Sequence, residues 1–215
     1  MHEMHHMESF LPAETVAMIK KYGENLPDDF AIEESMTILF SDMRGFTELA
    51  ESYGAREVYA TINASLHIQT EIITKHGGSI NKFLGDGLLA CFSGEQRGEQ
   101  ALLCMVELMR ELSAREKISV HLPCRVGFGM HDGRVLLGLL GDQHRKEFTV
   151  IGDVANTAAR LCGIAQPFQG LVTEACMQII PNALSDQYCR YLNAIYLKGK
   201  RDGMNVFYVD TLMAE

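Results

Sequence analysis

The tripeptide Gly85-Asp86-Gly87 separates two short strand candidates, residues 79–84 (SINKFL) and 88–92 (LLACF). Two glycines around an aspartate make a tight turn more readily than they continue a strand or helix, so the runs are expected to fold back as a β-hairpin. A long helix is predicted on either side of it. Residues 57–75 set Val58, Ile62, Leu66, Ile68, Ile72 and Ile73 near one helical face, closed by His76-Gly77-Gly78, and residues 99–112 turn Leu102, Leu103, Val106, Leu108 and Met109 inward. Strands are expected beyond each helix, at residues 36–40 (MTILF) and 123–130. Strand, helix, hairpin, helix, strand is the order of a ferredoxin-like βαββαβ unit, which makes the fold class α+β.

Additional C-terminal α/β elements follow this core. Residues 134–140 and 148–151 read as extended, 153–164 as a helix with Val154, Ala158, Leu161 and Cys162 inward, 174–179 as a helix, and 188–197 and 205–209 as strands. A further helical region begins at residues 47–51. Ahead of the core, residues 10–35 read as a leading helix, ended at Gly23, and a polar linker that could join an upstream sensor domain. Residues 1–9, with His2, His5 and His6, read as a disordered arm or an expression remnant. The main domain is thus expected over residues 36–210.

With 215 residues, 47% of them hydrophobic and 22% charged, the chain is long enough to bury a full core. A formal charge of −9 argues against a general partner such as nucleic acid or an anionic membrane, both of which would repel the average surface. Six cysteines, Cys91, Cys104, Cys124, Cys162, Cys176 and Cys189, are scattered without a C-x-x-C pair, the pattern of reduced thiols in a cytoplasmic protein. No apolar run approaches a membrane span, and the N-terminus lacks the layout of a signal peptide.

Asp42 ends the first apolar run and Asp86 turns the hairpin, and in the inferred unit these two strands share one sheet. Each alone has an ordinary explanation, as a helix cap or a turn residue. Together on one edge they repel unless a cation lies between them, and hard divalent ions such as Mg²⁺ favour carboxylate oxygens and phosphates. Next to Asp42, Gly45-Phe46-Thr47 forms a glycine turn into a helix, where free backbone N–H groups favour a phosphate.

Four motifs, FSDMRGFT, NKFLGDG, CRVGFGMHDGRV and FTVIGDVANTAAR, resemble in order and spacing the class III adenylyl/guanylyl cyclase catalytic domain, over about residues 36 to 209. The resemblance implies a homodimer with composite sites between the chains. It matches Asp42 and Asp86 to the metal-binding aspartates, with the Met43 carbonyl as a further ligand to two divalent ions, Mg²⁺ or Mn²⁺. It matches Asn156 and Arg160, one helical turn apart, to the groups that hold the ribose and the α-phosphate. Arg125 corresponds to a family arginine near the triphosphate, and Lys198 and Lys200 to a late loop that reaches the terminal phosphates from the other chain.

Lys82 matches the position that reads the purine, lysine in adenylyl cyclases and glutamate in guanylyl cyclases. A lysine donates to N1 of adenine, so ATP is the implied substrate. Its partner position holds Thr149, where many adenylyl cyclases have aspartate. Lysine with threonine resembles a subgroup of bacterial and soluble cyclases, some responsive to bicarbonate. The expected function is an adenylyl cyclase that makes 3′,5′-cyclic AMP and pyrophosphate, the alternatives being a non-catalytic nucleotide-binding regulator or a guanylyl cyclase.

Overall fold

The computed structural model describes residues 10–118, 122–142, 144–196 and 203–211. In chain order they form α1 (Ala13–Tyr22), β1 (Ala31–Arg44), α2 (Phe46–Ser52), α3 (Ala55–Lys75), β2 (Ser79–Leu84), β3 (Gly87–Phe92), α4 (Arg97–Ile118), β4 (Arg125–Gly141), β5 (Lys146–Ile151) and α5 (Asp153–Ile164). β6 (Gly170–Thr173), α6 (Glu174–Met177), α7 (Asn182–Tyr188), β7 (Cys189–Ile195) and β8 (Met204–Val209) complete them. The α+β class read from the sequence is the architecture observed. One sheet runs β2-β3-β1-β4-β6-β8-β7, with β5 paired to β4 off this path.

Both faces of the sheet centre are covered, which is why all six residues of β3 are buried and its sequence shows no alternation. On one face, Leu39, Leu88, Ala90, Phe92, Phe128 and Met130 pack beneath α3 and α4, whose Ile73, Leu102, Met105 and Leu108 are fully buried. On the other face, Met36, Ile38, Leu89 and Cys91 meet Phe148 and Val150 of β5 and Val154 and Ala158 of α5. Each such fully buried aliphatic side chain stabilises the fold by about 1.5–3 kcal/mol.

Several elements differ from their sequence-based expectation. β1 starts at Ala31 and runs through Asp42 to Arg44, because it pairs continuously with β4 from Ala31↔Gly138 to Arg44↔Arg125. Its first residues, Glu33 and Ser35 among them, are largely exposed, so no apolar pattern marks them as strand. The same ladder merges the two strands expected at 123–130 and 134–140 into the 17-residue β4. Residues 47–51 and 57–75 belong to two helices, divided at Tyr53-Gly54. The short strand β6 and helix α7 carry no periodic signal long enough to read, and α7 takes Tyr188 from the strand expected at 188–197. Leu197 itself, like residues 1–9, lies outside the described residues. All six cysteines are free, five of them buried and Cys124 half-buried. Burial pushes the Cys176 thiol up to about 12, leaving it an inert core group at neutral pH.

Candidate active site

Ser41 pairs with Leu88 at the last rung between β1 and β3, so the turn ahead of β3 is drawn alongside Asp42. The approach is close enough to need a glycine: a Cβ on Gly87 would sit 2.0 Å from the Ser41 carbonyl oxygen. Asp86 thereby faces Asp42 and the strand edge. Burial, which strips water from its carboxyl, holds Asp86 above the usual carboxylate range; the charge of Asp42 adds to this, while its own N–H, the Met43 N–H and Arg44 oppose it. A strand residue points its N–H and C=O to the same side, so the Met43 carbonyl shares the edge to which its N–H serves Asp86.

Arg44 ties this edge to the end of α5. Its Nη1 donates to Asp42 Oδ2 at 2.9 Å, its Nε donates to the Ala165 carbonyl at 2.9 Å, and Nη2 donates to the Cys162 carbonyl. Gly127, opposite Asp42 on β4, leaves the room: a Cβ there would lie 2.5 Å from Arg44 Nη2. A cleft of about 440 Å³ opens at this corner, lined by Asp42, Met43, Gly45, Phe46, Thr47, Glu48 and Asp86. The first helical bond of α2 runs from the Leu49 N–H to the Gly45 carbonyl at 3.1 Å. The N–H groups of Phe46, Thr47 and Glu48 therefore lack helical acceptors at the positive end of the helix.

Among the described residues no cluster of three or more His, Cys, Asp or Glu is assembled for a metal. That excludes a closed protein cage there, but not a Mg²⁺-type site, in which one or two carboxylates share the ion with substrate phosphates and water. A desolvated carboxylate facing a second one is the donor set that such a cation would relieve, so Asp42 and Asp86 fit it.

A second polar group forms where β5 folds over the sheet face onto β2. Lys82 Nζ donates to Glu147 Oε1, and Thr149 Oγ1 donates to Asn81 Oδ1 at 3.2 Å. The structure thus brings the Lys82 and Thr149 regions together, through two residues that sequence reasoning missed. A signal existed for both: Asn81 is an amide set directly before Lys82 between the apolar Ile80 and Phe83, and Glu147 lies two residues from Thr149 on the same face of β5.

Asn156 is exposed and Arg160 half-buried on α5, whose opposite face buries Val154, Thr157, Ala158, Leu161 and Cys162. That face lies so close to β4 that a Cβ on Gly129 would be 2.2 Å from the Cys162 nitrogen. Neither Asn156 nor Arg160 lines the cleft of Asp42 and Asp86, and neither do Lys82 and Thr149. Arg125 also stands apart from it, paired with Glu116 at 2.6 Å. Lys198 and Lys200 fall outside the described residues.

A carboxylate pair beside the N-terminus of a helix is an arrangement that suits a divalent cation shared with a phosphate. The chain belongs to the adenylate and guanylate cyclase catalytic-domain family, whose model matches residues 31–211. It is 29% identical over 210 residues to the terminal-differentiation-specific adenylate cyclase of Dictyostelium discoideum and 28% identical over 211 residues to an adenylate cyclase of Anabaena cylindrica. Each alignment covers 94% of this chain but only 10% and 42% of those proteins, respectively, so the chain spans a minor part of either. Its fold superimposes on the crystal structure of the adenylyl cyclase CyaB from P. aeruginosa with a TM-score of 0.76 at 24% identity, covering 84% of this chain and 96% of that one.

Proposed function

We propose that this domain is an adenylyl cyclase that converts ATP into 3′,5′-cyclic AMP and pyrophosphate at the interface of a homodimer. The observation that supports the reading is that the candidate residues do not line one cleft of one chain. The cleft of Asp42 and Asp86 is lined by none of Lys82, Thr149, Asn156 and Arg160, and the side chains of Asn156 and Arg160 bond to no other described residue. Exposed apolar side chains accompany both halves, Phe83 and Leu84 on the hairpin and Leu136 and Leu140 on β4, a surface that association would cover. Two-fold symmetry then makes two equivalent sites.

In this reading Asp42, Asp86 and the Met43 carbonyl hold divalent cations, Mg²⁺ or Mn²⁺. When bound, such ions supply activation of the ribose 3′-hydroxyl and neutralisation of the triphosphate charge. The free N–H groups of Phe46 and Thr47 receive phosphate oxygens behind Gly45. From the other chain, Asn156 orients the ribose and Arg160 meets the charge that develops on the α-phosphate as the 3′-oxygen bonds to phosphorus and pyrophosphate leaves. Lys82 donates to the purine N1 and Thr149 accepts from the 6-amino group, which favours ATP over GTP. Arg125, Lys198 and Lys200 are assigned to the triphosphate. A cytoplasmic location and an upstream sensor complete the proposal; α1 would be the point of entry, since Glu14 accepts from Ser79 at the start of β2.

Mixing Asp42→Ala chains with Asn156→Ala chains tests the shared site. Random exchange makes half the dimers mixed, each with one intact site, so about a quarter of wild-type activity should return. No recovery in a preparation shown to contain mixed dimers would refute the composite arrangement, and equal turnover of ATP and GTP would refute the choice of base.

A further inference from the structure

We infer that Asn81 is a positioning residue for base selectivity, acting by holding the proton of the Thr149 hydroxyl. The inference rests on the reading that Thr149 meets the purine. Asn81 is the extra residue of a β-bulge: Ile80 pairs with Ala90 and Lys82 with Leu89, leaving Asn81 without a partner on β3. A bulge re-aims a side chain that strict alternation would send to the opposite face from Lys82. Here it sends both side chains across to β5, Lys82 to Glu147 and Asn81 to Thr149.

Asn81 is 2% exposed and Thr149 4%, so water does not compete for the bond between them. The carbonyl oxygen of Asn81 accepts from Thr149, while its amide nitrogen, buried beside it, has no hydrogen-bond partner among the described residues. A hydroxyl has one proton and two lone pairs. With its proton given to Asn81 Oδ1, Thr149 offers any further group only lone pairs. A 6-amino purine donates to those lone pairs. A 6-oxo purine meets them with lone pairs of its own, and Thr149 has no second proton to turn outward. Selection against the oxo base thereby comes from a residue that does not touch the base.

The test measures kcat/KM on the full chain for ATP, inosine triphosphate and the triphosphate of purine riboside, which has hydrogen at position 6. Each preference is a ratio within one preparation, so partial unfolding of a variant cancels. Wild type should prefer ATP to inosine triphosphate. Asn81→Leu should narrow that preference about fivefold to tenfold, the worth of one neutral hydrogen bond, by raising use of the oxo nucleotide while the 6-hydrogen nucleotide changes little. Asn81→Asp, which keeps the acceptor, should retain the wild-type ratio. An unchanged ratio in Asn81→Leu, or an Asn81→Asp shift as large as that of Asn81→Leu, overturns the inference. Thr149→Val separates the two layers. If it leaves the ratio at the wild-type value, the base contact of Thr149 is wrong; if it narrows the ratio while Asn81→Leu does not, only the role of Asn81 is.

Discussion

Replacing Gly87 by alanine should disable the site through the backbone alone. The added Cβ would stand 2.0 Å from the Ser41 carbonyl oxygen, 2.9 Å from the Ser41 carbonyl carbon and 3.0 Å from the Asp42 Cα. All three are main-chain atoms of β1, so no flexible side chain can yield. Ordinary contact needs about 3.4 Å, and β1 and β3 must part by more than 1 Å at the rung that sets Asp86 beside Asp42; overpacking of this kind costs about 1–3 kcal/mol. For a domain of this size that lowers Tm by roughly 2–4 °C per kcal/mol. Turnover should fall further than stability explains, by on the order of 100-fold, since a displacement of about 1 Å misaligns reacting groups. Gly85→Ala is the control: Gly85 has φ +75° with nothing within 4 Å of a built Cβ, so it incurs left-handed strain of about 1–2 kcal/mol without displacing β1. Thermal melts and metal-dependent turnover of both variants make the measurement. A Gly87→Ala protein with wild-type turnover, or one no more impaired than Gly85→Ala, would refute the reasoning.

Three further outcomes follow from the geometry. Because burial and Asp42 raise the pKa of Asp86, its favourable contribution to the metal-free fold is present below its unfolded value near 3.8 and is lost as pH rises through the raised folded value. Asp86→Asn should accordingly melt higher than wild type in chelator at neutral pH, an advantage that vanishes below about pH 4, the region of an unperturbed carboxylate. Saturating Mg²⁺ should reverse the order, adding about 2.7 kcal/mol to wild type at a hundred times Kd and little to the variant. Arg160→Ala should lower kcat about 100- to 1,000-fold with KM within a few fold, the mark of a contact made in the transition state. Its melting temperature should stay near wild type because the side chain bonds no other described residue; a rise in KM at constant kcat would contradict the assignment. Arg97→Ala should destabilise by about 3 kcal/mol in urea titrations, the low end for breaking a buried ion pair. Asp132 is 8% exposed and accepts from Arg97 Nε at 2.7 Å, and only Thr37, donating at 2.8 Å, would remain of these partners.

The sequence by itself determined the elements that are long or chemically punctuated. Amphipathic periodicity located α3, α4 and α5, the glycine-flanked aspartate located the β2–β3 turn, and the motifs put forward Asp42, Asp86, Asn156 and Arg160 as candidate site residues. These signals are local, set by the repeat of one helix or the conformational freedom of one turn, and so survive without knowledge of partners. What only the tertiary structure decided is where the partners lie. The full reach of β1 and β4 comes from 14 consecutive pairings between them, which override the charged residues at the start of β1. Arg44, written beside Asp42, is committed to carbonyls at 162 and 165, more than 100 residues along the chain. The bulge at Asn81 and the folding of β5 onto β2 join residues 68 positions apart. No periodicity records such contacts, because they depend on how the sheet twists and closes on itself. The grouping of the candidate residues had the same origin: the motifs named Asp42, Asp86, Lys82, Thr149, Asn156 and Arg160, and the fold leaves the last four outside the cleft that the first two line and sets Asn81 and Glu147 beside Lys82 and Thr149.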